Sequence, residues 1–320
     1  MVVITDAVLP HRAPQMELAS LNRGESMDLL HLPAELRAVC DEARSAGKSV
    51  GFVPTMGALH DGHLALVAEA KRRADIVVVS IFVNPMQFGP AEDFTQYPRV
   101  LQDDAARCLA AGVDVVFAPS PTSMYAASEE TRVRVGKTAV HLCGSARPGH
   151  FEGVCTVVAK LFALVGPSIA LFGRKDYQQL RVIARMVEDL MFPIEVLGVP
   201  TVRERDGLAM SSRNRYLTGT ERERALGLAR GLSRAASLFA AGERRAGFLR
   251  VAALAEVDRV ADSIDYVAVA DADDVVPFED HMTIPERAVV AIAARIGSTR
   301  LIDNVVLGEE PGPLAEGVGA

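Results

Sequence analysis

Apolar positions in this chain follow two alternating rhythms up to about residue 200. Ser49–Thr55 reads as a buried strand, and Ile76–Val83 is a continuous β-branched apolar run, as expected of a central strand covered on both faces. Val113–Ala118, Ile169–Phe172 and Ile194–Val199 read the same way. Between them lie helical patterns over Pro33–Ala46, Gly62–Ala74, Leu101–Ala111, Glu152–Val165 and Asp176–Phe192. Strands alternating with helices predict an α/β fold, a doubly wound parallel (Rossmann-like) sheet, over 27–200. Ligands of such sheets bind at the carboxyl ends of the strands. Thr55, Asn84 and Gly173 follow three of those ends, so the motifs around them should converge.

The rhythm changes after Thr201. Arg203–Leu217 is polar with little periodicity, and Thr220-Glu-Arg-Glu223 reads as a capping box opening a long helix. A helix near Phe248–Ala261 and strands at Ile264–Val269, Val289–Ala294 and Arg300–Val306 complete a smaller α+β lid domain over 201–308. Residues 1–26 are irregular and polar and are expected to be a disordered extension, with Met27 a plausible true start. The segment 309–320, rich in Pro and Gly, is expected to be a flexible tail.

Composition narrows the function. A net charge of −7 argues against general nucleic-acid binding but permits a local site for a small anion. The chain has no Trp, which removes the best base-stacking residue. Cys40, Cys108, Cys143 and Cys155 are scattered without a CxxC spacing, as expected of reduced thiols in the cytoplasm. No start resembling a signal peptide and no bilayer-length apolar run is visible, so no membrane is expected as a partner.

The most informative cluster is His60-Asp61-Gly62-His63 at a strand–loop–helix junction. Two imidazoles three residues apart share one face of the first helical turn. Free backbone N–H groups and the positive dipole end are expected to point the same way, toward a polyphosphate. By themselves the histidines fit a surface cap equally well. Zinc fits less well, because no further ligand is nearby to complete a tetrahedron. Lys175, in Phe172-Gly-Arg-Lys-Asp-Tyr-Gln-Gln179, would sit at the sheet's mouth as a point charge for phosphate. Asp176 there also reads as a helix cap. Met210-Ser-Ser-Arg-Asn214 offers hydroxyls and a guanidinium, or simply a solvated turn. Gln87, after Asn84-Pro85, can orient a carboxylate or hydroxyl. Asp103 and Asp104 are paired carboxylates that suit Mg²⁺, or a helix start.

Taken together, Val53–His63, Ser80–Phe88, Arg147–Phe151, Lys175–Gln179 and Met210–Asn214 resemble the pantoate–β-alanine ligase family, in the same order along roughly Leu30 to Leu307. The resemblance implies ATP-dependent joining of pantoate to β-alanine through a pantoyl adenylate, with AMP and pyrophosphate released. It implies ATP and Mg²⁺ as cofactors, a homodimer and a cytoplasmic location. The implied catalytic residues are His60, His63, Lys175, Ser211, Ser212 and Arg213. The implied nucleotide site runs through Pro54, Thr55, Met56, Gly57, Ala58, Leu59, His60, Asp61, Gly62 and His63. It continues with Gly173, Arg174, Lys175, Asp176, Val202, Met210, Ser211, Ser212 and Arg213. Gln87, Gln179, Asn84 and Met56 are implied for substrate, and Asp104 with Asp103 for Mg²⁺. Arg174 and Cys143 stand where the family usually has Glu, and Arg174 is expected to add positive charge beside ATP. Two other readings remain open: a nucleotidyltransferase of the same superfamily with another acceptor, and a non-catalytic nucleotide sensor.

Overall fold

The computed structural model describes residues 27–90 and 92–314. The expected disorder of 1–26 lies outside them. Six strands form one parallel sheet in the order β1 (Asp28–Leu30), β4 (Val115–Phe117), β3 (Ile76–Ile81), β2 (Val50–Thr55), β5 (Ser168–Gly173), β6 (Ile194–Val199). Side chains alternate across it. Phe52 and Val78 face a core shared with α1 (Pro33–Ser45), α6 (His150–Val165) and α7 (Tyr177–Asp189). Val53, Val77 and Val79 face the other core, with α2 (Asp61–Arg73) and α3 (Leu101–Ala110). Both faces are therefore covered, which explains why β3 carries no alternating polar positions.

The sheet's winding reverses at β2, which pairs β3 on one side and β5 on the other. The β2–β5 ladder holds only two residue pairs, Gly51 with Ile169 and Phe52 with Ala170. Beyond them the strands part, and their carboxyl ends open a crevice at the switch point. The loop after β2 runs into the start of α2 there.

Two one-turn helices, α4 (Pro121–Met124) and α5 (Cys143–Ala146), were not visible in the sequence pattern, nor was the three-residue edge strand β1. After β6 the chain makes a tight excursion bridged at Arg203 and Ala209, then a 3₁₀ turn at Ser212–Tyr216. The helix α8 (Gly219–Ala240) starts two residues earlier than expected. Its capping box is Thr218 with Glu221, not Thr220 with Glu223. With α9 (Ala246–Asp258) it covers one face of an antiparallel sheet, β7 (Ser263–Asp271), β8 (Ala288–Ile296), β9 (Thr299–Leu307).

The other face of that sheet docks on the first sheet's helices and loops. Tyr177 packs among Ala270, Ala272, Val289 and Val306, and Leu142 among Ala268, Val275 and Ala291. Small residues on this face let the two units approach closely. Glu309 and Glu310, expected in a frayed tail, instead carry ion pairs to Arg174 at 2.8 and 3.0 Å.

Candidate active site

The crevice above β2 and β5 is a cavity lined by His60, Gly62, His63, Gln87, Lys175, Asp176, Gln179, Thr201, Val202, Met210, Ser211, Ser212 and Arg213, with Pro54, Thr55 and Met56 on its floor. Four separate motifs of the sequence thus meet in one space. The apolar wall comes from Phe82, Leu161 and the Val154–Val158 stretch of α6, and Tyr97 closes one side. Neither Tyr97 nor this valine face was singled out in the sequence.

The histidines sit differently from expectation. His60 is the N-cap of α2, and its Nδ1 accepts the Gly62 N–H at 3.1 Å. The His63 Nδ1 accepts the His60 N–H at 3.3 Å. So these helix-start N–H groups do not point freely at a phosphate; the rings themselves take them. Because each Nδ1 is an acceptor, each neutral ring must carry its proton on Nε2. Both rings are neutral: burial, with the Lys175 charge next, pushes His60 down to about 4. Burial and the neighbouring His60 push His63 down to about 3. Their centroids lie 4.1 Å apart. The backbone donors are relayed through two imidazoles, which offer Nε2–H groups with no internal charge repulsion.

These shifts have a stability consequence. An unfolded histidine titrates near 6.5, while folded His60, His63 and His150 titrate at about 4, 3 and 4. Between those limits only the unfolded chain takes up these protons, so stability rises with pH there. Their contribution is complete above pH 6.5 and is lost as pH falls toward 4. Thermal melts at pH 7, 6 and 5 should show a falling Tm, with a shallower fall in His150→Gln; equal slopes for the two proteins would contradict the shift.

Gly62 is shaped by His60. A Cβ at position 62 would lie 2.8 Å from the His60 Cε1 and 2.9 Å from its Nδ1. Gly62 is the second residue of α2, and the His60 ring that its Cβ would displace is the helix cap. Gly62→Ala is therefore expected to lower Tm modestly, by loosening a cap worth about 1 kcal/mol, and to lower turnover about tenfold or more through the displaced ring. Turnover equal to wild type would remove the constraint assigned here.

Gln87 is oriented by its neighbours. Asn84 donates from Nδ2 to the Gln87 Oε1 and to the Gly153 carbonyl, both at 3.1 Å. Its Oδ1 accepts from Tyr125 at 2.7 Å and Met86 N at 3.3 Å. Asn84 therefore has no polar atom left for substrate, although it lines the cavity; it turns the Gln87 amide so that Nε2 faces Met56 Sδ at 3.1 Å. The Gln87 backbone carbonyl accepts from His150 Nδ1 at 2.9 Å. Arg147 reaches the same carbonyl at 3.3 Å and grips Glu92 through two 2.6 Å bonds. Burial raises the Glu92 carboxyl, but the Arg147 bonds outweigh it and hold it at about 2.

Lys175 and Asp176 lie at the mouth with 3.9 Å between charged atoms. Desolvation pushes Asp176 up, and the charges of Lys175, Arg213 and Arg147 bring it below the usual range. Asp176 stands at the N-cap position of α7, as expected, but its side chain makes no capping bond. The turn is held from the second sheet: Asn304 Nδ2 donates to the carbonyls of Arg174 at 3.0 Å and Lys175 at 2.7 Å.

The Ser211–Arg213 segment is latched to the 92–97 loop. Arg213 makes two 2.9 Å bonds to Asp93, and Ser212 lies 3.2 Å from the Tyr97 hydroxyl. Ser211 caps the turn through the Arg213 N–H at 3.2 Å. The Arg213 charge is thus shared with a carboxylate, a pairing that sequence could not show.

Several expected contacts are elsewhere. Arg174 does not line the cavity; its guanidinium turns to Glu309 and Glu310, so it adds no charge beside ATP. Gly57, Ala58, Leu59 and Asp61 also lie off the lining. Asp104 is buried, and its oxygens accept the N–H groups of Ala58 at 2.8 Å and Leu59 at 2.7 Å. Asp103 is exposed on the helix. This pair does not fit a Mg²⁺ site. Among the described residues no group of three or more His, Cys, Asp or Glu is placed to hold a metal ion.

A pantoate-beta-alanine ligase family profile matches residues 28–306. The chain belongs to that family. Among its relatives, pantothenate synthetase 1 of Bradyrhizobium diazoefficiens is 52% identical over 285 residues, covering 89% of this chain and all of that protein. Pantothenate synthetase of Moorella thermoacetica is 52% identical over 282 residues, covering 88% and 99%. The crystal structure of pantothenate synthetase from Thermus thermophilus superposes with a TM-score of 0.81 at 47% identity, over 87% of this chain and 99% of that one. A Francisella tularensis pantoate-beta-alanine ligase, solved in complex with beta-gamma ATP and beta-alanine, gives 0.72 at 32% identity, over 90% and 100%. The ligase fold and the α/β sheet with its small antiparallel partner are thus shared across the whole matched length.

Proposed function

We propose that this protein joins pantoate to β-alanine at the cost of ATP, forming pantothenate, AMP and pyrophosphate through a pantoyl adenylate. The observation that carries the site assignment is the meeting of two neutral Nε2–H imidazoles with Lys175 and the Gln87 amide in one cavity. In the first step the pantoate carboxylate attacks the α-phosphorus and pyrophosphate leaves. His60 and His63 donate hydrogen bonds to the α-phosphate oxygens as charge grows there. Lys175 neutralises the departing phosphates. Gln87 and Gln179 hold pantoate so that its carboxylate is in line. In the second step the β-alanine amine attacks the acyl carbon and AMP leaves.

No protein nucleophile is needed. Cys40, Cys108 and Cys155 are buried thiols, pushed by that burial to about 11, 12 and 12. The apolar wall of Phe82, Leu161 and α6 valines keeps water from the mixed anhydride. Mg²⁺ would supply charge neutralisation for the triphosphate, while Asp103 and Asp104 do not fit as its ligands. A homodimer in the cytoplasm remains our reading of the family resemblance, to be measured by light scattering and fractionation. Among the described residues no helix is long and apolar enough to cross a membrane.

The test is AMP release with each substrate omitted in turn. Release in step with pantothenate, requiring both pantoate and β-alanine, is expected. AMP release with another acceptor and not with pantoate would support the nucleotidyltransferase alternative instead.

A further inference from the structure

Asp104 occupies the first turn of α3, behind the loop that carries His60, and is 2% exposed. That loop takes an unusual path: φ is +80° at Gly57 and +51° at Ala58. A left-handed alanine persists only where its surroundings over-determine it. Here they do so through one carboxylate, with Oδ2 accepting the Ala58 N–H at 2.8 Å and Oδ1 the Leu59 N–H at 2.7 Å. These are charge-assisted bonds of the stronger kind. The position in the first turn of α3 also favours a negative charge.

Gly57 is matched to the same group. A Cβ there would lie 2.8 Å from Asp104 Oδ2 and 3.0 Å from Ile81 Cγ2. Only glycine lets the carboxylate reach the two N–H groups. The residue after this clamped pair is His60, whose backbone and ring then set both imidazole tautomers. Both Asp104 oxygens are taken up by the loop and the residue is buried, which disfavours a hydrated cation there.

We infer that Asp104 is a positioning residue that clamps the His60 loop, and that it is not a Mg²⁺ ligand. This rests on the ligase reading above, which wild-type activity tests separately. In Asp104→Asn one acceptor becomes a donor facing a backbone N–H. Adenylation kcat should fall about 10²-fold, as a misplaced reacting group costs, with a smaller change in KM for ATP. The Mg²⁺ concentration for half-maximal rate should match wild type. Mn²⁺ titration of nucleotide-free wild-type protein, followed by electron paramagnetic resonance, should show no bound ion. Gly57→Ala leaves every acceptor in place while pressing on the same carboxylate, so it should reproduce the kcat loss at unchanged Mg²⁺ dependence. Three results would overturn the inference: one Mn²⁺ bound by wild type and lost in D104N, a tenfold rise in the Mg²⁺ requirement of D104N, or wild-type kcat in both variants.

Discussion

Replacing His63 by alanine is expected to slow adenylation by about 10²–10³-fold, the loss typical of one donor removed from a developing oxyanion. The His60 N–H occupies Nδ1 at 3.3 Å, which leaves Nε2–H for the α-phosphate. Alanine removes the relay and frees a helix-start donor that cannot reach as far. Ground-state ATP binding, shared with Lys175 and the Ser211–Arg213 segment, should weaken less. Single-turnover formation of the adenylate separates the two effects. His63→Gln, which can present an amide N–H, should recover part of the rate; no difference between the two variants would point to a packing role.

Lys175→Met should cost a comparable factor, of order 10²-fold or more, in adenylation. The side chain of Lys175 is 19% exposed, and its ion-pair partner Asp176 stands 3.9 Å away, at the edge of pairing. A cation so weakly compensated is available to an incoming triphosphate. Its removal also leaves Asp176 facing the phosphates without the Lys175 charge, which should raise KM for ATP more than His63→Ala does. Lys175→Arg should restore affinity better than rate, because a planar fork cannot occupy a point-charge position without displacing the turn held by Asn304. Stopped-flow ATP binding and adenylation rates together check this. An unchanged KM for ATP in K175M would rule out the phosphate contact.

Much of the fold was legible because burial leaves a periodic trace. β3 could be placed from its apolar run alone, and the motif loops followed from strand ends. The missed β1 is three residues at a sheet edge, too short to show a period. The capping box slipped because Thr218 and Thr220 each precede a Glu by three residues, and only tertiary packing chooses between them. The site was legible where residue type and chemistry coincide, as for His60, His63 and Gln87. It was not legible where a residue's partner is distant in sequence. Asp104 reads as a common acidic helix start until Ala58 and Leu59 are seen against it. Arg174 reads as a nucleotide contact until Glu309 and Glu310 fold back. Arg213 reads as a free cation until Asp93 meets it.

The measurement that bears most directly on adenylation at this cavity is exchange of labelled pyrophosphate into ATP. Exchange that requires pantoate and proceeds without β-alanine is the expected result, since the adenylate then forms and reverses on the enzyme. No exchange until β-alanine is added, or exchange driven equally by an unrelated acceptor such as nicotinamide mononucleotide, would contradict it.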